Sequence, residues 1–433
     1  MAHAKTSFLG LLVLPLLVVA GANVAWFVGS AFVEAAQKQA DDAPVVYRGA
    51  RIHTASGPVI ERGVLIVLKG KILDVGTEEQ VKIPAGAKIH DLTGKVIIPG
   101  LVDTHSHIGI FGRPSGPHSA DGNEMTGPVQ PGLRAIDAIN PHDPGIRMAL
   151  AGGVTVANIM PGSGNAIGGQ TLYVRLKGTV VEAMRIIAGR VLGGIKFANG
   201  ENPKGVYGAK GQAPGTRMKI AALQREQLTK AQNYKRQWDA FNKAKADGKQ
   251  ATPPERDINL DPLVEVLERK RTVHFHCHRA DDIMTAVRLS EEFGFELVLQ
   301  HCTEGYLVAE ELAKRGIFVS LTLIDSPGGK PEVMGLLEEN AAILTKAGVK
   351  VAINTDDFIT ESRFLLRTGA IAVRGGWSEE MALKALTLHG AQMLHLDERV
   401  GSLDKGKDAD FVVLSGAPFS VYTQVLETYI EGE

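Results

Sequence analysis

"KVIIPGLVDTHSHIG", Lys95 to Gly109, is the stretch on which the reading of this chain turns. A run of apolar β-formers finishes on Asp103, His105 and His107 at alternate positions, in front of Gly109. Successive strand side chains point to opposite faces, so these three share one face. A lone histidine so placed is ordinarily the polar side of a half-buried strand. Two imidazoles at i, i+2 after a Pro-Gly turn can converge on a divalent ion from one side. The rest of the chain decides between the two.

Upstream, from Val45 to Ile98, short strands alternate with turns: "VVYRGARIHT", "GVLIVLKGKILDVG" and "AKIHDLTGKVIIPG". At the far end "ADFVVLSG" and "VLETYIEGE" supply further strands. The two ends, residues 45–97 and 395–433, are therefore expected to build one small β-domain around a central segment, residues 98–394. The closing residues stop where another strand could continue, so truncation is expected there.

In the central segment, strand-like and helix-like runs alternate, the pattern of βα repeats around a parallel sheet. Eight strands are predicted: "GLVDTHSH", "VTVANIM", "AMRIIAG", "GGIKFANG", "TVHFHCH", "ELVLQHC", "IFVSLTL" and "VKVAINTDD". Eight units predict an α/β fold closed as a (β/α)8 TIM barrel, whose active site gathers at the C-terminal ends of the strands. The chelating residues cluster at those ends. His105 and His107 close the first strand, Lys196 lies near the end of the fourth, and His276 and His278 end the fifth. His301 ends the sixth and Asp356 the eighth. An insertion over about 203–261 carries "TRMKIAALQREQLTKAQNYKRQWDAFNKAKADG", which predicts a helix of about thirty residues with a solvated basic face.

Composition narrows the function classes. The 47 Lys+Arg against 48 Asp+Glu leave no electrostatic footprint for nucleic acid. Two cysteines, Cys277 and Cys302, exclude a disulfide framework. Phe8 to Val33 carries no charge and follows Lys5, so residues 1–44 are expected to hold an export signal or a membrane anchor plus a linker, and the protein to be periplasmic or extracellular. A homo-oligomer is compatible with the sequence.

Four imidazoles and a carboxylate match the ligands of zinc or a similar ion, with one or two divalent metals accommodated. Lys196 makes two attractive, because a neutral lysine amine reacts with carbon dioxide to give a carbamate, an anionic bridge, and burial favours the neutral amine. The alternative is an ordinary ammonium at a strand end. Loops after the first two strands, "GPHSADGNEMTG" and "PGSGNAIGGQ", bring Glu124, Asn165 and Gln170 forward as candidate substrate-binding residues, beside the plainer reading as turns.

These residues resemble the amidohydrolase superfamily of metal-dependent hydrolases over nearly everything from Val45 onward. "PGLVDTHSH", "HFHCHRADDI", "LQHC", "NTDD" and the closing "GSLDKGKDADFVVLSGAPF" carry the likeness, and "IMPGSGNAIGGQ", "IKFANGENPKGVYG" and "PGTRM" resemble its imidazolonepropionase-like and prolidase-like exported branch. The resemblance implies a distorted (β/α)8 barrel with a composite β-sandwich, and hydrolysis of an amide or cyclic amide substrate. It assigns His105, His107 and Asp356 to one metal, His276 and His301 to a second, and Lys196 to the bridge. Of His274, His276 and His278, all of one parity, it favours His276 as ligand and leaves His278 facing substrate. Metal coordination would bring the pKa of water from 15.7 towards about 7, with Asp356 as general base and the second metal, or His278, polarising the carbonyl. Asp357 is expected to be structural. The alternatives are a mononuclear deaminase or imidazolonepropionase-type ring opener, and a non-catalytic barrel acting as an interaction protein.

Overall fold

The computed structural model describes residues 43–187, 189, 191–324 and 329–433. The first five strands, β1 (Val45–Ile52), β2 (Ile60–Leu68), β3 (Lys71–Thr77), β4 (Lys88–Asp91) and β5 (Val96–Pro99), follow the alternation of the sequence. β2 and β3 are joined through Lys69 and Gly70, both at positive φ (50° and 74°), as a tight type I′ hairpin requires. The barrel strands come next: β6 (Leu101–Ser106), β7 (Val154–Ile159), β8 (Ile167–Gln170), β9 (Leu172–Arg175) and β10 (Gly194–Ala198). They continue with β11 (Thr272–Cys277), β12 (Leu297–His301), β13 (Phe318–Thr322) and β14 (Val351–Asn354). The last two strands, β15 (Phe411–Leu414) and β16 (Val425–Tyr429), return to the first sheet.

That first sheet has seven strands in the order β16-β15-β5-β1-β2-β3, with β4 added in parallel to β1. Both ends of the chain thus share one sheet. Alternation along β2 buries Leu65 and Val67 with Phe411 and Val413 on one side, and Val64 and Ile66 with Val81 on the other. The composite β-domain is built from these two apolar layers.

The barrel consists of a six-stranded run, β14-β13-β12-β11-β10-β8, and a three-stranded run, β6-β7-β9. Two seams join them. At one, the Asp356 N–H donates to the His105 carbonyl (2.9 Å) and Ser106 bridges Asp357. At the other, β8 and β9 are separated by Thr171 alone, whose N–H donates to the Gly194 carbonyl (2.8 Å). The ring is an α/β barrel of the (β/α)8 kind, distorted where β8 and β9 run antiparallel to their neighbours.

That distortion corrects the expected third strand. "AMRIIAG" contributes the end of a short helix, Val181–Met184, and a single bridge between Arg185 and Val174. Its place is taken by β8 and β9. Gly169 lies at φ +121°, and a side chain there would meet the Leu133 carbonyl at 2.8 Å, so the glycines that made "GNAIGGQ" look like a loop are what let it pack as a strand.

The insertion folds as two helices, Glu201–Gly208 and Arg217–Ala246, the second capped by Thr216, whose hydroxyl accepts from the Lys219 N–H (3.1 Å). It buries Ile220, Gln224, Leu228, Ala231 and Tyr234 as one stripe. Gln224, wholly buried, donates to the carbonyls of Ala166 (3.0 Å) and Ala198 (3.1 Å), fastening the long helix to β10 two residues beyond Lys196. Among the described residues no helix is long and apolar enough to cross a membrane, and residues 8–33 lie outside them.

Candidate metal centre

Two groups of ligand side chains meet at the strand ends. His105, His107 and Asp356 form one and His276, His278 and His301 the other, the ligand atoms of each lying within 4.8 Å of one another. Asp356 Oδ1 is 3.2 Å from His105 Nε2 and 3.1 Å from His107 Nε2, and its Oδ2 is 3.9 Å from His301 Nδ1, so one carboxylate faces both groups. Lys196 is wholly buried with Nζ 3.0 Å from His105 Nε2 and 3.3 Å from the Met160 sulfur. His301 and Asp356 both take left-handed backbone angles (φ 68° and 46°). Non-glycine residues in that region carry strain, and it concentrates at functional sites.

Hydrogen bonds fix which ring nitrogen faces the centre. His107 Nδ1–H donates to the Met160 carbonyl (2.7 Å), which leaves the Nε2 lone pair towards Asp356. The Thr322 hydroxyl donates to Asn354 Oδ1 (2.8 Å) and therefore accepts from His301 Nδ1–H (2.9 Å), leaving His301 Nε2 deprotonated. That nitrogen and His105 Nδ1 are buried without a hydrogen-bond partner. Buried polar atoms are nearly always satisfied, so the orphaned His301 Nε2 in this cluster fits a cation ligand, whereas His105 meets Asp356 and Lys196 through its other nitrogen, Nε2.

The electrostatics agree. Burial, reinforced by Lys196 and the neighbouring rings, holds His105 well below the ordinary imidazole range. The same cause lowers His276 and His301, and brings His278 to about 3. Neutral imidazoles are the form a metal binds. Burial also brings the Lys196 ammonium down to about 7, against the opposing pull of Asp356, so a neutral amine is populated near neutrality.

The three fifth-strand histidines separate by depth. His274 sits a layer below the others, with Nδ1 2.9 Å from Gln300 Nε2 and Nε2 3.0 Å from the Tyr173 hydroxyl, a partnered core residue. His276 and His278 stand beside His301, so His278 is grouped with them as a candidate ligand and also lines the cavity. Asp357 is tied to Arg113 Nη2 (2.5 Å) and the Ser362 N–H (2.6 Å). Asp103, on the ligand-bearing face, accepts from the N–H groups of Thr355 (3.1 Å) and His105 (3.3 Å).

A cavity of about 820 Å³ opens above the two groups. Glu124, Asn165 and Gln170 do not line it. The Glu124 carboxylate caps the Thr126 N–H and is exposed. Asn165 is buried and donates to the carbonyls of Glu124 and Gly127. Gln170 is paired in β8 and turned towards the Pro131 carbonyl. The wall is formed instead by Phe111, Asn123, Ser163, Asn202, Lys330 and Phe358. Behind it stands a carboxylate absent from the sequence reading, Glu332, whose Oε1 is 3.7 Å from His276 Nε2 and 3.8 Å from His278 Nε2. Asn202, in "ANGEN", sits four residues past the end of β10 and carried a positional signal, whereas Lys330 caps and Glu332 lies in a short 3-10 helix, Pro331–Val333, without one.

A family model described as the amidohydrolase family matches residues 96–433. The chain belongs to the amidohydrolase family. A solved amidohydrolase from Thermotoga maritima MSB8 is 40% identical with a TM-score of 0.84, covering 90% of this chain and 98% of its own. Amidohydrolase tasK of Hapsidospora irregularis is 27% identical over 401 residues, which is 86% of this chain. The chain spans 39% of that relative's length. A Xaa-Pro dipeptidase with bound methionine is 16% identical with a TM-score of 0.55, covering 90% of this chain and 99% of its own, a likeness of fold. In this amidohydrolase the two candidate ligand groups occupy the strand ends of the barrel that these neighbours share.

Proposed function

We propose that this amidohydrolase hydrolyses the C–N bond of an amide or cyclic amide. The observation that carries the reading is the meeting of two buried ligand groups on the floor of one cavity, with Asp356 facing both and Lys196 beside His105. His105, His107 and Asp356 would hold one divalent ion, for which zinc suits the donor set, and His276, His278 and His301 a second. Ions there supply acidified water and polarisation of the scissile carbonyl. Asp356, at the cavity floor, accepts the proton of the attacking water and returns it to the leaving nitrogen. The hydroxyls of Thr322 and Thr303 keep His301 and His278 oriented. Lys196, buried beside His105, would as a neutral amine be the residue to take up carbon dioxide, with loss of one proton, and supply an anionic carbamate as a further ligand.

Elemental analysis of protein purified without chelator tests this, with 13C NMR after labelling with 13C-bicarbonate. Close to two metals per chain, a carbamate signal lost in Lys196→Ala and turnover on an amide panel are expected. One metal with unmodified Lys196 favours a mononuclear deaminase or ring opener. No metal and no turnover after reconstitution favours an interaction protein.

We also propose that the protein is exported, with residues 8–33 as signal or anchor, on the strength of their uncharged apolar run. Cell fractionation with N-terminal sequencing of the mature protein tests it; a cytosolic protein with an intact N-terminus refutes it.

A further inference from the structure

The cavity is chemically lopsided. From the first ligand group an aromatic wall runs outward, His107 to Phe111 at 5.3 Å between ring centroids and Phe111 to Phe358 at 5.5 Å, both edge-to-face. Phe358 is 61% exposed, and Ile359, next to it in the chain, adds to the apolar lining. At about 820 Å³ the space suits a ligand of drug-like size.

The charged part of the lining is already internally paired. Among the described residues Lys330 is the one Lys or Arg lining the cavity. Its Nζ donates to Glu332 Oε1 (3.0 Å) and Asn202 Oδ1 (3.1 Å). Glu332 is buried, and its other oxygen accepts from the Glu201 N–H (2.8 Å). Arg217, behind Glu332 at 3.6 Å, is paired with Asp282 at 2.8 Å. Glu201 itself lines the cavity. A carboxylate entering on this side would shed water, approach Glu201 and meet an ammonium that Glu332 neutralises. Desolvating a charge that no lining side chain among the described residues is free to pair is costly.

We infer that the substrate is an amide or lactam uncharged beside the scissile bond and bearing a bulky apolar or aromatic group against Phe111 and Phe358, so that free dipeptides are poor substrates. The inference rests on the hydrolytic reading of the site and narrows it.

The test is a matched pair, N-acetylphenethylamine and N-acetyl-L-phenylalanine, which differ by one carboxylate next to the amide nitrogen. Calorimetric titration into zinc-loaded protein is expected to show the uncharged ligand binding about tenfold or more tightly, a difference of about 1.4 kcal/mol or more. Equal binding, preference for the carboxylate, or no binding of either overturns the inference. Glu332→Gln leaves the Lys330 ammonium unneutralised and is expected to shrink the ratio about tenfold; an unchanged ratio overturns the charge argument. Turnover of the pair is followed separately. Selective binding without cleavage would remove the hydrolase reading and leave the charge selection standing.

Discussion

Asp103 on β6 accepts a hydrogen bond from the backbone N–H of Thr355, 3.1 Å away and one residue before Asp356. The Thr355 hydroxyl donates to the same carboxylate, and Ser362 Oγ approaches it at 3.3 Å. A single buried side chain thereby sets the position of the first strand's histidines against the last strand's aspartate. Asp103→Ala should leave the Thr355 N–H and hydroxyl unsatisfied and cost roughly 2–4 kcal/mol. Chemical denaturation measures that loss. Asp103→Asn, which keeps the acceptor, should recover about half of it, and equal losses in both variants would contradict the hydrogen-bond account.

The Asn354–Thr322–His301 chain predicts a metal phenotype. Thr322→Val removes the acceptor that holds His301 Nδ1–H, so the ring is free to turn its protonated nitrogen inward. Outer-shell partners of metal histidines are worth about 10–100-fold in affinity. Zinc titration against a chromophoric chelator should show one of two sites weakened by that amount and the other unaltered.

Gly169→Ala probes the distorted seam. The added methyl would press on the Leu133 carbonyl in a backbone conformation that alanine avoids. A loss of about 2–4 kcal/mol is expected, read as a lowered Tm. Gly86→Ala, also at positive φ but with open space around it, should cost less.

Acid should loosen the junction between sheet and barrel. Asp408 is almost wholly buried, which by itself would raise its pKa, yet hydrogen bonds from Lys71 and Arg175 and the charge of Arg399 hold it below the ordinary value of 3.8. A depressed folded-state pKa gives stability that is fully present above the unfolded value and is lost as pH falls through the folded one. Unfolding free energy measured between pH 6 and pH 2 should therefore drop below about pH 4. In Asp408→Asn stability should be lower at neutral pH and that part of the acid slope should be missing.

Strand parity made the ligand face legible from sequence, because His105 in β6 and His276 in β11 are each followed two residues on, just past the strand, by a histidine of the same ligand group. Parity gives face and not depth, which is why His274 could be set apart only by its contacts with Gln300 and Tyr173. The β8–β9 segment escaped because its glycines suppress the strand pattern, although close packing against Leu133 is what requires Gly169. Lys330 and Glu332 escaped for another reason. They reach the site from a short 3-10 helix and its cap, about thirty residues beyond the nearest histidine, His301, and only the fold brings them there. Asn165 and Gln170 lie in the predicted loop region but point their amides at backbone carbonyls, a role composition alone does not distinguish from substrate binding.

The pairing of β15 with β5 sets a schedule for biogenesis. Val412 lies opposite Ile98, so the edge of β5 waits for its partner until residues 100–410 have been synthesised. At about 5–20 residues per second that interval is roughly 15 s to a minute. Throughout it, Val96, Ile97 and Ile98 present an unpaired apolar edge, the kind of surface through which nascent chains stick to one another. Yield at high expression should be governed by how well that edge is shielded during translation, and chaperone supply should raise it more than any change at the candidate metal centre.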